Sequence, residues 1–194
     1  MNILFEDFPC TVTVHGKEYE IVTDFREWIK LHELLRTTTR FTRGVLNTIL
    51  DWYMDERPED EVAAVKALDD FMKPGIIYKK PDEDDPEQEE GTQNNADEDF
   101  SFEQVMICIY CDFFRSYGID IESIPYMHWW KFLVLLYGLP GDAEIKQRMY
   151  YRTVDLNKIE NKEERKRIKE IRKQIKIKNP HPRRLDDYEI GAMF

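Results

Sequence analysis

The chain has 194 residues, an apolar fraction of 42% and a formal charge of -11, enough for one substantial domain whose core needs no covalent or metal staples. That charge argues against general affinity for nucleic acid or anionic membrane, because phosphate surfaces attract basic stretches and repel acidic ones. Cys10, Cys108 and Cys111 form an odd, sparse set, no secretory apolar stretch opens the chain and no apolar run is long enough to cross a bilayer, so a reducing cytoplasm and no membrane are expected.

TVTVHGKEYEIV, Thr11 to Val22, alternates polar and apolar side chains on both sides of His15-Gly16, which predicts a two-stranded hairpin around a tight turn. A lone hairpin is marginal in water and must pack on something. The period then changes: Phe25, Trp28, Ile29, Leu31, His32 and Leu35 share one side of a helix, with Asp24 as N-cap and Glu27 as its capping-box partner. RTTTRFTRG, Arg36 to Gly44, interrupts the pattern. Val45, Leu46, Ile49, Leu50, Tyr53 and Met54 then resume it as a second helix. Pro58 suits the first turn of a third, which carries Val62, Val65, Leu68 and Met72 and stops at Pro74-Gly75.

From Pro81 to Asp99 there are ten acidic side chains and no basic one, so residues 79–99 are expected to form a flexible linker or long loop. FSFEQVMICIYCDFFRSYG, Phe100 to Gly118, is apolar on several sides and predicts a central helix, with Ser101 and Gln104 as a capping pair and Gly118 as its stop. Ser123 and Pro125 are expected to start the next helix through MHWWKFLVLLYG, and Asp142 to Tyr151 gives a short one after it. Asn161 and Glu164 can cap a highly charged helix in which Ile168, Ile171 and Ile175 form a narrow apolar stripe that either docks or projects into water. The stretch from Lys158 to Arg184 holds twelve Lys or Arg against four Glu, and the tail from Asn179 reads as irregular.

The expected architecture is mainly α: a compact helical domain with a small N-terminal β-hairpin. It divides into an N-terminal hairpin plus helices (1–78), an acidic linker (79–99), a C-terminal helical bundle (100–178) and a tail (179–194). One shared core is expected, since so short an N-terminal piece would bury only a marginal core by itself.

Chemical motifs are few. Cys108 and Cys111 form a CxxC, but no second pair or histidine motif supplies the two further ligands of a tetrahedral site; flanked by Ile107, Ile109, Tyr110 and Phe113, they read as small core residues. The four histidines are scattered, no serine or cysteine has the context of a nucleophile, and the glycines at 16, 44, 138 and 141 lack the spacing of a nucleotide loop. No cofactor and no enzymatic activity are expected. The basic C-terminal helix has no interleaved aromatics and carries three glutamates, which disfavours nucleic acid.

MHWWKF, Met127 to Phe132, is the most pointed stretch. On a helix Trp129 and Trp130 point about 100° apart, so Trp130 groups with Tyr126, Met127, Leu133 and Tyr137, and Trp129 with Phe132 and Leu136. Either both indoles are structural, or one set faces the core and the other a partner.

DFSFEQ (Asp99 to Gln104), YGIDI (Tyr117 to Ile121), MHWWKF, MYYRTVDLNKI (Met149 to Ile159) and the KEERK after it, together with the opening PCTVTVHGKEYEIVTDFREWIK, resemble in order and spacing the gene-product-fifteen family of tailed bacteriophages, encoded in the tail-morphogenesis region. The resemblance implies a factor in the bacterial host cytoplasm that assists tail assembly as a chaperone, with the tape measure or the tail tube protein as its partner. A long tape measure exposes apolar helical surface until tube subunits enclose it, and an acidic helical binder would cover that surface. Under this reading the candidate partner contact is either Trp129, or Trp130 with Met127, and Arg36 and Arg40 or Lys166 and Arg167 supply electrostatic steering. The family brings no catalytic residues. The alternative is a tail completion or connector protein retained in the virion, and a weaker one is a nucleic-acid-binding regulator using Lys166 to Lys173.

Overall fold

The computed structural model describes residues 5–73 and 101–177. The acidic segment 79–99, the tail from Asn179, Phe100 and the Pro74-Gly75 stop lie outside the described residues. Among the described residues there are seven α-helices and one two-stranded antiparallel hairpin. They form two compact units. The first contains residues 5–73 and the segment Pro125–Val134; the second contains 101–124 and 135–177.

The first unit begins with β1 (Thr11–Val14) and β2 (Lys17–Glu20), in register from Thr11 opposite Glu20 to Val14 opposite Lys17. Val12 and Val14 point into the core, as alternation requires. His15 and Gly16 both have positive φ, 49° and 79°, the backbone of a two-residue hairpin turn; glycine adopts it freely and histidine tolerates it better than most residues. His15 Nε2 lies 2.8 Å from Asp60 Oδ2, which ties the turn to the start of the third helix.

Helix α1 (Phe25–Thr37) begins where Asp24 accepts the Arg26 N–H (2.9 Å), and it buries Phe25, Trp28 and Leu31. The predicted partner in the capping box, Glu27, instead holds Lys30 at 2.6 Å. Helix α2 (Arg43–Leu50) is shorter than the sequence pattern suggested. Tyr53 leaves it to bridge Ile21, with the Val22 N–H on the Trp52 carbonyl (2.9 Å) and the Met54 N–H on the Glu20 carbonyl (3.0 Å). Helix α3 (Glu61–Met72) starts after Pro58, because the Asp60 carboxylate accepts the Ala63 N–H (3.0 Å) and fixes the first turn there.

In the second unit α4 (Phe102–Tyr117) has Ser101 as N-cap, accepting the Gln104 N–H, and Gly118 as a left-handed C-cap with φ 66°. The MHWWKF helix, α5 (Trp129–Tyr137), starts at Trp129 and not at Ser123 or Pro125. Residues before it are held extended, with the Phe25 N–H on the Met127 carbonyl (2.9 Å) and the Trp129 N–H on the Thr23 carbonyl (2.7 Å). The chain passes from the first unit to the second within α5, after Val134.

Helix α6 (Glu144–Thr153) is followed by a 3-10 turn (Leu156–Lys158) and α7 (Lys162–Gln174). Asn161 caps α7 by accepting the Glu163 and Glu164 N–H groups. The narrow stripe of α7 docks: Ile168 is buried, while Ile171 and Ile175 are half-buried. Its arginines serve as caps, with Arg172 donating to the Tyr151 and Val154 carbonyls at the end of α6 and Arg152 of α6 donating to the Ile175 carbonyl (2.7 Å).

Candidate functional site

The tryptophan pair sits inside the first unit. Trp129 is 2% and Trp130 8% exposed, and Met127 beside them is buried. A buried indole N–H needs an acceptor, and the last turn of any helix leaves carbonyls without intrahelical donors. The two needs meet here: Trp129 Nε1–H donates to the Met72 carbonyl (3.1 Å) and Trp130 Nε1–H to the Phe71 carbonyl (2.9 Å). The 100° divergence of adjacent helical side chains lets two neighbouring tryptophans close two consecutive carbonyls of α3.

The rings complete an aromatic core. Trp28 lies 4.9 Å from Phe71 and 6.3 Å from Trp129, Trp129 stacks on Phe132 at 5.7 Å, and Phe132 on Phe25 at 4.8 Å. Trp28 itself donates to the Val22 carbonyl (2.8 Å). Met127, Trp129 and Trp130 are thus all buried in this corner, and both indole N–H groups have acceptors within it.

His128 organises the corner in a way the sequence did not announce. Its Nε2 faces the Pro9 carbonyl at 3.0 Å and its Nδ1 faces the Trp130 backbone N–H at 3.0 Å. A carbonyl only accepts and an amide N–H only donates, so the ring carries its proton on Nε2, is neutral, and caps α5 through Nδ1. Burial pushes its pKa below the usual histidine value. Phe8 stacks on the ring at 5.1 Å.

The basic candidates divide. Arg36 is 8% exposed, its Nε donating to Glu33 at 2.7 Å, so it is a helix-end ion pair and not a surface charge. Arg40 is exposed in the loop after α1, and Lys166 and Arg167 are exposed on α7 in the second unit. Arg43, the first residue of α2, makes a bidentate pair with Glu61 (2.5 and 2.7 Å) that links α2 to α3.

The CxxC is split by its helix. Cys108 is half-buried, and burial raises its thiol pKa; Cys111 is exposed. The expectation that both are core residues therefore holds only in part, because the buried face of α4 is centred on Val105, Ile109 and Phe113 and Cys111 lies off it. Among the described residues there is no group of His, Cys, Asp or Glu that could hold a metal ion. Nor is any helix there long and apolar enough to cross a membrane.

What the second unit does present, among the described residues, is an exposed apolar face. Met106 is 57%, Ile107 72% and Phe114 57% exposed on α4, with the half-buried Tyr110 between them. Spaced three or four residues apart, Ile107, Tyr110 and Phe114 fall on one side of the helix, opposite Val105, Ile109 and Phe113. The signal was present in the sequence as a helix apolar on several sides; which side would stay open could not be read from it.

A family model described as bacteriophage Gp15 protein matches residues 4–177 of the chain. Neither the curated proteins nor the solved structures contain a match.

Proposed function

The chain belongs to the bacteriophage Gp15 protein family, a membership that points to phage structure or morphogenesis, and from that premise we propose a non-enzymatic tail assembly factor. In this reading it acts as a chaperone that holds the tape measure or the tail tube protein before the tail closes. The observation that carries it is the exposed face of α4 formed by Ile107, Tyr110 and Phe114, with Met106 at its edge: large apolar side chains left in water at helical spacing suit a surface made to be covered. The aromatic corner at MHWWKF is buried within the first unit.

The test is co-purification of the tagged full-length chain with the tape measure and tail tube proteins of the same genome, together with the protein content of purified particles. Capture of one of them by a chain absent from particles is the expected result. Presence of the chain in particles would make it a completion or connector protein, and capture of neither would remove the chaperone reading.

A further inference from the structure

Strand β1, in the first unit, has one edge that β2 does not use. The Ile21 N–H donates to the Cys10 carbonyl at 3.1 Å, and an antiparallel ladder alternates hydrogen-bonded with non-hydrogen-bonded pairs. With Val12 opposite Tyr19 and Val14 opposite Lys17, Cys10, Val12 and Val14 turn their backbone groups toward β2. Thr11 and Thr13 therefore turn theirs to the other edge, with which no strand pairs among the described residues. Proteins commonly guard such an edge with lysine, proline or a bulge; β1 reads TVTV and its register is unbroken.

This edge borders a groove of about 390 Å3 whose opposite wall is α3, through Ala63, Lys66, Ala67 and Asp70. Strand and helix run in opposite directions. His15 meets Asp60 at the start of α3, while Pro9 reaches the end of α3 through His128, which is 3.0 Å from the Pro9 carbonyl and 6.0 Å from the Phe71 ring. Lys66 and Asp70 are exposed, and neither makes an ion pair among the described residues. They stand about 6 Å apart along the helix axis, close to the spacing of alternate residues in an extended strand, about 6.8 Å.

We propose that an extended segment of a partner protein adds to the free edge of β1 as an antiparallel third strand, carrying an acidic residue and, two positions later, a basic one. Backbone donors and acceptors left open along a strand are complemented by another extended backbone, and side-chain contacts beside the edge then select its sequence. Antiparallel pairing is the slightly more stable arrangement, and it fixes the direction of the segment. Because β1 runs against α3, a strand antiparallel to β1 runs along α3 and passes Lys66 before Asp70, so the acid comes first. Both charged residues point to the side of the sheet on which Val12 and Val14 are buried against α3, as alternate residues of one strand do. The residue between them points the other way and exchanges its backbone hydrogen bonds with Thr11 or Thr13.

The experiment uses the full chain and two short labelled peptides of identical composition, one centred on Glu-Thr-Lys and the other on Lys-Thr-Glu, followed by fluorescence anisotropy at low salt. The acid-first peptide is expected to bind about fivefold more tightly or better. Lys66→Glu combined with Asp70→Lys, at exposed positions, should reverse that order of preference while thermal unfolding stays unchanged. N-methylation of the central threonine of the acid-first peptide removes the N–H that faces β1 and should weaken binding about tenfold. Methylation of the next amide, which faces away from β1, should leave it unchanged. Absence of binding, equal binding of the two peptides, a preference that survives the charge exchange, or equal sensitivity to the two methylations would each overturn the proposal. A concentration-dependent dimer in sedimentation that the acid-first peptide dissociates would give the edge to a second copy, and a synthetic copy of residues 179–194 that outcompetes the acid-first peptide would give it to the chain itself; both also overturn it. None of these results bears on the assembly reading, which co-purification tests separately.

Discussion

Two indole N–H groups at neighbouring positions close the last carbonyls of α3, and this makes Trp129 and Trp130 separable from ordinary core aromatics. Trp129→Phe or Trp130→Phe keeps a six-membered ring but removes the pyrrole portion with its N–H, leaving a buried carbonyl unsatisfied and a small cavity beside it; a loss of at least about 1–3 kcal/mol is expected in urea unfolding. Alanine at either position should cost about 3–5 kcal/mol, since a large cavity is added. His128 gives a pH signature. Its pKa is lowered from 6.5 by burial, so the unfolded chain binds the proton more readily than the folded one. The stability that the neutral ring contributes is therefore complete above 6.5 and is lost as pH falls from there toward the folded-state value. In His128→Asn the side-chain oxygen can still cap α5 but does not titrate, so its unfolding midpoint should fall less between about pH 7.5 and pH 5.5 than that of the parent chain. An equal fall in both would assign the acid sensitivity to other groups.

At the scale of elements, the helices differ in where their caps come from, and this separates what was legible from what was not. Asp24, Ser101 and Asn161 each accept backbone N–H groups two or three residues away, so residue type and spacing announced α1, α4 and α7. The start of α6 was misplaced by two residues because its acceptor is not local. Asp112, buried on α4, takes the Glu144 N–H at 3.2 Å and the Ile145 N–H at 2.8 Å across 32 and 33 residues. A carboxylate there meets two orphan donors and the positive end of a helix dipole. Asp112→Asn keeps one acceptor oxygen and Asp112→Ala none, so both should destabilise, alanine by about 2 kcal/mol and asparagine by less. The basic helix α7 is divided in the same manner. Arg172→Ala strips the end of α6 of its donors and should cost about 1.5–3 kcal/mol, whereas Lys166→Ala and Arg167→Ala, at exposed positions, should stay within about 0.5 kcal/mol. Equal costs across the three would mean that charge, and not carbonyl capping, is what α7 contributes.

At the scale of the whole chain, the first unit is made of segments far apart in sequence. Pro125–Val134 returns to residues 5–73, and the His128 bond to Pro9 spans 119 positions while the Trp130 bond to Phe71 spans 59. Periodicity identified the elements on each side but carries no information on such a return, which is why the sequence put the MHWWKF helix with the C-terminal bundle. The return is energetically necessary. Without it Phe25 loses the ring of Phe132, Trp28 that of Trp129 and Phe71 that of Trp130, the Phe71 and Met72 carbonyls lose their donors, and the edge at Thr23 and Phe25 loses its backbone partners at Trp129 and Met127. Each lost ring contact forfeits about 0.5–1.5 kcal/mol beyond its buried area, against a total stability of only about 5–15 kcal/mol for an entire domain. A fragment ending at residue 88 should therefore lack cooperative unfolding and a near-ultraviolet dichroism signal. A synthetic peptide covering residues 123–138, added in trans, should restore both, and the same peptide with Trp129→Ala and Trp130→Ala should not. A fragment that folds cooperatively with no peptide would show that residues 5–73 carry a sufficient core of their own and that the tryptophans only finish it.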